Sequence, residues 1–314
     1  MITLNTERGL VRLETWDEVE KIVGYTRDVD PSASKLKDII GSYRFPDLVV
    51  CGLSSCHHKH FRGYIVSIEN GQVTKIGHQC GKTHFGVEFE KMSLAFDRDL
   101  REKEHRETLH AFKNRLDEYT AVVERLKNDE KGGNWLNKQI TNLTTQGRAI
   151  PDRVLRVLNE MIRSRSPVLV RQRLATAREI ELAEAMRQSP GDKDRIEDNE
   201  KGRPRQKMIE EEVGALDGFA ALYPENNIRK LLVLETDIPL RELAALDVDT
   251  ASRHELSRWA KWTGEVDTRL RQCREIIGHG RALFRRNNIA KLAEITESET
   301  DENLVMVLAR GYDK

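Results

Sequence analysis

Apolar positions change their rhythm along the chain, and the changes divide it. TWDE at Thr15–Glu18 has the form of a capping box opening a short helix through Ile22, and SASKLKDII at 32–40 places apolar residues at helical spacing. Pro46 then stops that second helix, and LVVC runs on as an extended apolar segment. In GYIVSIENGQVTKIG, two β-branched and aromatic runs flank Asn70-Gly71, which predicts a β-hairpin. From Phe89 onward the period becomes helical. Leu109, Phe112, Leu116, Tyr119, Val123 and Leu126 alternate spacings of three and four, a seam of the coiled-coil type on one long helix folded against a partner and ended by Gly132-Gly133. Too few heptads are present for a free-standing coiled coil, and the apolar-free REKEHRET precedes the seam.

Shorter helices are predicted at about 134–146, 151–164 and 167–188, with Pro151 and Pro167 in first-turn positions. SPGDKDRIEDNEKGRPRQ at 189–206 carries no periodic apolar residue and reads as a linker or mobile loop. Beyond it, ALYPENNIRKL at 221–231 and ALFRRNNIAKL at 282–292 echo one another, as a helix ending on an aromatic, an Asn capping the next helix, and Ile and Leu turning inward. Between the copies, Leu256, Trp259, Trp262, Val266, Leu270, Cys273 and Ile277 share one helical face. The terminus reads as an acidic loop and a short apolar element. The expected class is therefore mainly α: a small mixed α/β module at 1–90, a helical domain at 91–188, the linker at 189–206, and a helical domain at 207–314 with a duplicated hairpin.

Composition sharpens this in two respects. Charged residues make up 33% and aromatics 6%, with 52 basic and 52 acidic side chains, the profile of a salt-bridge-laced helical protein and not of a whole-molecule polyanion binder. No stretch is apolar enough to span a membrane, and the N-terminus lacks the basic-then-apolar form of a leader, so a cytoplasmic protein is expected. Long helical faces also allow a homo-oligomer.

The chemistry is concentrated. Three of the four cysteines and five of the nine histidines lie between Cys51 and His84. Zinc takes four tetrahedral N or S ligands, usually as two close pairs. Cys51-x4-Cys56 supplies one pair and Cys80-x3-His84 the other, the second facing one way if a helix starts near Cys80. His57, His58, His60 and His78 lie near enough to replace a ligand, His60 foremost. Over about 50–90 this order of thiol pair, hairpin, then thiol and imidazole on a first helical turn resembles the treble-clef class of zinc modules. The resemblance implies a structural zinc, and it also brings in the His-Asn-His nucleases, with His57 or His58 as a base behind which Asn70 would stand.

Two arginine-rich stretches complete the candidates. Arg153, Arg156, Arg163, Arg165 and Arg171 belong to the first, and Arg281, Arg285 and Arg286 to the second. Guanidinium forks suit phosphate, yet in a charge-balanced chain such residues also pair with acidic helix faces. The expected function is a non-enzymatic, zinc-stabilised protein that engages nucleic acid or a nucleoprotein machine. The alternatives are a helical protein–protein scaffold or inhibitor and a metal-dependent nuclease.

Overall fold

The computed structural model describes residues 1–145, 147, 150–187 and 208–312. The predicted linker at 189–206 lies outside them. Contacts divide the chain into two compact units, Met1–Arg115 with Leu243–Gly264, and Leu116–Glu242 with Glu265–Lys314.

Unit one is built on a five-stranded antiparallel sheet, β1 (Ile2–Thr6), β2 (Gly9–Leu13), β3 (Leu36–Val50), β4 (Lys59–Ile68) and β5 (Val73–Gly77), in the order β2-β1-β3-β4-β5. Between β2 and β3, helix α1 (Trp16–Glu20) starts as expected: the Glu18 carboxylate accepts the Thr15 N–H at 3.1 Å, closing the capping box. The hairpin also forms. Gly71 takes φ +86° and Asn70 Oδ1 accepts the Gln72 N–H at 3.0 Å, a turn whose left-handed position suits glycine.

The helix expected at 32–40 is instead the start of β3. Its pairing with β4 shifts register between Leu36 and Asp38 and again between Ile39 and Gly41. Each bulge adds a residue to one strand. Buried Leu36 and Ile39 thus fall three apart, a spacing that mimics a helix.

Apolar side chains fill both faces of the sheet. Ile2, Val19, Tyr43, Val49, Ile65 and Val73 pack with Trp16 and Phe45 on one side. On the other, Leu36, Ile39, Tyr64, Val66, Ile68 and Ile76 pack with Phe89 and Phe96 of α2 (His78–Lys113). That helix breaks its backbone at Gly86, φ +59° and ψ −139°.

The seam from Leu109 to Leu126 belongs to two helices and not one, because α2 stops at Lys113 and α3 (Leu116–Asn128) begins after Asn114 and Arg115. The pattern still reports burial: Leu109, Phe112, Tyr119 and Val123 are all inside. Helices α4 (Gly133–Thr144) and α5 (Asp152–Ser164) follow as expected, Pro151 standing at the N-cap of α5. The third predicted helix, 167–188, is a strand and then a helix: β6 (Val168–Leu174) and α6 (Ala177–Arg187). β6 pairs antiparallel with β7 (Met208–Ala215), and Arg171 and Arg173 face the carboxylate of Glu211 across the ladder. With charges on both strands, the ladder hides the period of two that would have announced it.

A π-helical stretch, Arg229–Asp237, leads into α7 (Ile238–Ala245). Its wide turn pairs the Ile238 N–H with Val233 O and lets the Thr236 hydroxyl donate to Leu231 O at 2.7 Å, just before Pro239, which brings no N–H. α8 (Arg253–Leu283) presents the apolar face expected of it, with Leu256, Trp259, Val266, Leu270, Cys273 and Ile277 buried. α9 (Arg286–Ala290) and α10 (Glu299–Arg310) close the chain. The acidic stretch expected as a loop is the first turn of α10, where Ser298 caps the Asp301 N–H at 3.1 Å and carboxylates suit the helix dipole.

The two echoing segments share their core residues and differ in their asparagines. Ile228 and Leu231, like Ile289 and Leu292, are buried. Asn227 caps the Lys230 N–H at 3.0 Å, whereas Asn288 lies inside α9 and is itself buried, bonded to both the N–H and the C=O of Asp217 at 2.9 Å.

Candidate metal centre and cationic concavity

The segment joining β3 to β4 carries the first two thiols. The Cys51 N–H bonds to His58 O at 2.9 Å, the Cys56 N–H to Leu53 O at 3.1 Å, and the Gly52 N–H to Lys75 O at 2.8 Å, so a tight loop is pinned against β5. A side chain at position 52 would meet Thr74 Oγ1 at 2.1 Å, which leaves only glycine there. β5 then delivers the chain to Gly77, and Cys80 lies in the first turn of α2. Gly81, beside it, admits the Phe89 ring, 2.3 Å from where a Cβ would stand. The break at Gly86 is what lets Phe89 return to this turn.

These elements bring Cys51, Cys56 and Cys80 together, with their sulfurs all within 4.8 Å of one another. Cys56 Sγ is 3.2 Å from Cys80 Sγ and 3.2 Å from His58 Nδ1, and His84 is hydrogen-bonded to it as well. Burial pushes the Cys51 thiol up and takes Cys80 to about 12. Cys56 goes the other way. Burial opposes its ionisation, but hydrogen bonds from the His58 backbone, Cys80, the His58 ring and His84 outweigh it and bring the thiol down to about 6. The cluster is thus a group of soft donors that can hold a metal ion, with two imidazoles against its most ionisable sulfur.

The other histidines go elsewhere. His60 contacts the Tyr43 hydroxyl through Nε2 and lies over Gly77, whose missing Cβ makes room for the ring, and burial lowers its pKa. His78 packs its ring 6.3 Å from Tyr64 and 5.9 Å from Phe89. His57 is exposed at φ +46°. Asn70, the asparagine of the nuclease arrangement, spends its side-chain carbonyl on the hairpin turn.

The first arginine stretch is mostly paired within the chain. Arg153 bonds Ile295 O and Glu297, Arg163 bonds Glu160, Arg165 bonds Glu225 at 2.6 Å, and Arg171 bonds Glu211 at 2.9 Å. Arg156 is exposed. The second stretch is arranged differently. Arg281, Arg285 and Arg286 line a concavity of about 560 Å³ together with Lys131 and Lys291, and among the described residues Asp217 is the only carboxylate in the lining. Arg281 Nε is held by Lys131 O at 2.9 Å and Lys291 Nζ by Ala215 O at 2.6 Å, which fixes the cations' stems while Phe284 and Tyr312, 5.3 Å apart, form an aromatic side. Lys131 and Asp217 had no sequence signal tying them to this group, because only the fold brings them near it.

Comparison with protein families, with curated proteins and with solved structures found no match. Among the described residues, no helix is long and apolar enough to cross a membrane.

Proposed function

We propose that the protein is a non-enzymatic, zinc-stabilised binding protein that engages nucleic acid through its phosphates. The observation that supports it is the concavity of unit two, where among the described lining residues five are cationic and one is a carboxylate. Such a surface suits a phosphate backbone: guanidiniums fork onto the oxygens, and counterion release supplies the affinity. Arg281, Arg285 and Arg286 make the contacts, with Tyr312 offering one ring edge. The paired arginines of 153–171 serve the fold first.

In unit one, zinc fits the donors. Cys51, Cys56 and Cys80 supply three thiolates, and an imidazole completes a tetrahedral set, with His84, on the same helix turn as Cys80, ahead of His58. This is the treble-clef reading of the segment, a closed structural site and not one with an open position for catalysis.

Fluorescence anisotropy with labelled duplex and single strands tests the binding. Affinity should fall linearly with log salt, at roughly 0.7–0.9 per phosphate contact, and substitution of Arg281, Arg285 and Arg286 by Ala should lower that slope. No binding at low salt ends the reading. A protein–protein scaffold is the second reading, favoured by Leu48, Val50 and Phe61, which expose large apolar side chains on β3 and β4. Co-purification of one defined protein, with binding unmoved by salt, would put it first.

A further inference from the structure

Unit one holds a second concavity, of about 710 Å³, on the face of the sheet that α2 covers. Where Val66, Ile68, Leu36 and Ile39 line that face it is a dry core. Toward the other end the same face turns polar. Thr3, Ser42 and Tyr64 stand side by side across β1, β3 and β4, and the next rung places Arg44 directly opposite Arg62. Above them, α2 offers Asp97 and Glu104, seven residues apart and so on one side of the helix.

Like charges directly opposite on paired strands disfavour the pairing. Arg44 and Arg62 both lie exposed, and among the described residues neither guanidinium has a hydrogen bond or ion pair within the protein to offset the repulsion, so each keeps its fork free. The half-buried Glu104 carboxylate has none either, while Asp97 accepts only the Tyr64 hydroxyl, at 2.9 Å. The two guanidiniums are thus open to solvent and to a solute entering the cavity. Here a cavity of ligand size separates two cationic forks from an acidic wall.

We propose that this cavity binds a small molecule carrying an oxyanion at one end, phosphate or carboxylate, and a hydrogen-bond donor at the other. Arg44 and Arg62 grip the oxyanion, each fork presenting parallel N–H groups to two oxygens. Glu104 accepts from the amino or hydroxyl group at the far end, and Tyr64, held by Asp97, forms the floor between them. None of these residues belongs to the thiol cluster or to the concavity of unit two, so the inference stands apart from the proposed function.

Isothermal titration calorimetry of the full chain with three probes tests it: AMP, L-glutamine and inorganic phosphate. Saturable one-to-one binding of AMP supports a phosphate ligand, and of glutamine a carboxylate ligand. Replacing both arginines, Arg44→Gln with Arg62→Gln, should weaken that binding at least about tenfold. Glu104→Gln should weaken the donor-bearing probe and leave inorganic phosphate unaffected. The double variant should melt no lower than the parent, because it removes a like-charge pair, so a loss of binding would not be a loss of fold. No saturable binding of any probe at about millimolar concentration, or binding indifferent to the double substitution, overturns the proposal.

Discussion

Cys56 is the least buried of the three clustered thiols and the one that meets both imidazoles, taking contacts from Cys80, His58 and His84. If the group holds zinc, Cys56→Ser should abolish stoichiometric metal and lower the melting temperature of unit one sharply, since structural zinc sites contribute on the order of 10 kcal/mol of apparent stability. His84→Ala and His58→Ala should separate by metal content, His84→Ala losing the ion and His58→Ala keeping it. Elemental analysis of the purified variants reads both. Gly86 makes a different demand. At φ +59° and ψ −139° it occupies backbone space where a Cβ is strained, and Gly86→Ala should cost about 1–3 kcal/mol in urea unfolding. Much of the thiol site can be read from residue identity alone, because thiols and imidazoles are scarce elsewhere in the chain. Arg44 and Arg62 cannot, since their meeting depends on a strand register that the bulges of β3 conceal.

Elements whose ends are chemically marked are the ones the sequence announces. Thr15 with Glu18, Asn70-Gly71 and Pro151 each define a boundary that the structure keeps. Where the pairing partner is distant, the local pattern misleads: β6 needs β7, whose Glu211 lies 40 residues beyond Arg171, and an apolar Val-Leu-Val after a proline looks helical without it. The junction from β6 to α6 carries its own test. Arg173 beside it, with the Thr176 N–H and hydroxyl, holds the Glu179 carboxyl down to about 2. A carboxyl depressed by folding contributes fully above its unfolded value near 4.5, and that contribution is lost as pH falls through 2. NMR titration should therefore find Glu179 still ionised at pH 3.5, and Glu179→Gln should destabilise the junction at pH 7 but not at pH 2. In α5, fully buried Leu158 predicts that Leu158→Ala costs about 2–5 kcal/mol.

At the scale of the molecule, two compact units with separate cores should unfold as separate events. Calorimetry with and without a strong chelator should show one transition moving to lower temperature and the other holding its place. A single shared transition that shifts as one would contradict it. Unit one is not a contiguous segment, because Leu243–Gly264 completes what Met1–Arg115 begins, and Trp262 packs against Phe112 with ring centroids 6.0 Å apart. A growing polypeptide therefore synthesises the sheet and the thiol cluster long before it makes the piece that finishes their unit. Until residue 264 clears the ribosome, the nascent N-terminal half waits with that docking surface open, and the 127 residues from 116 to 242 must be threaded out in between. Chaperone attendance during that interval, and aggregation of chains truncated before residue 243, are what such an order of assembly entails.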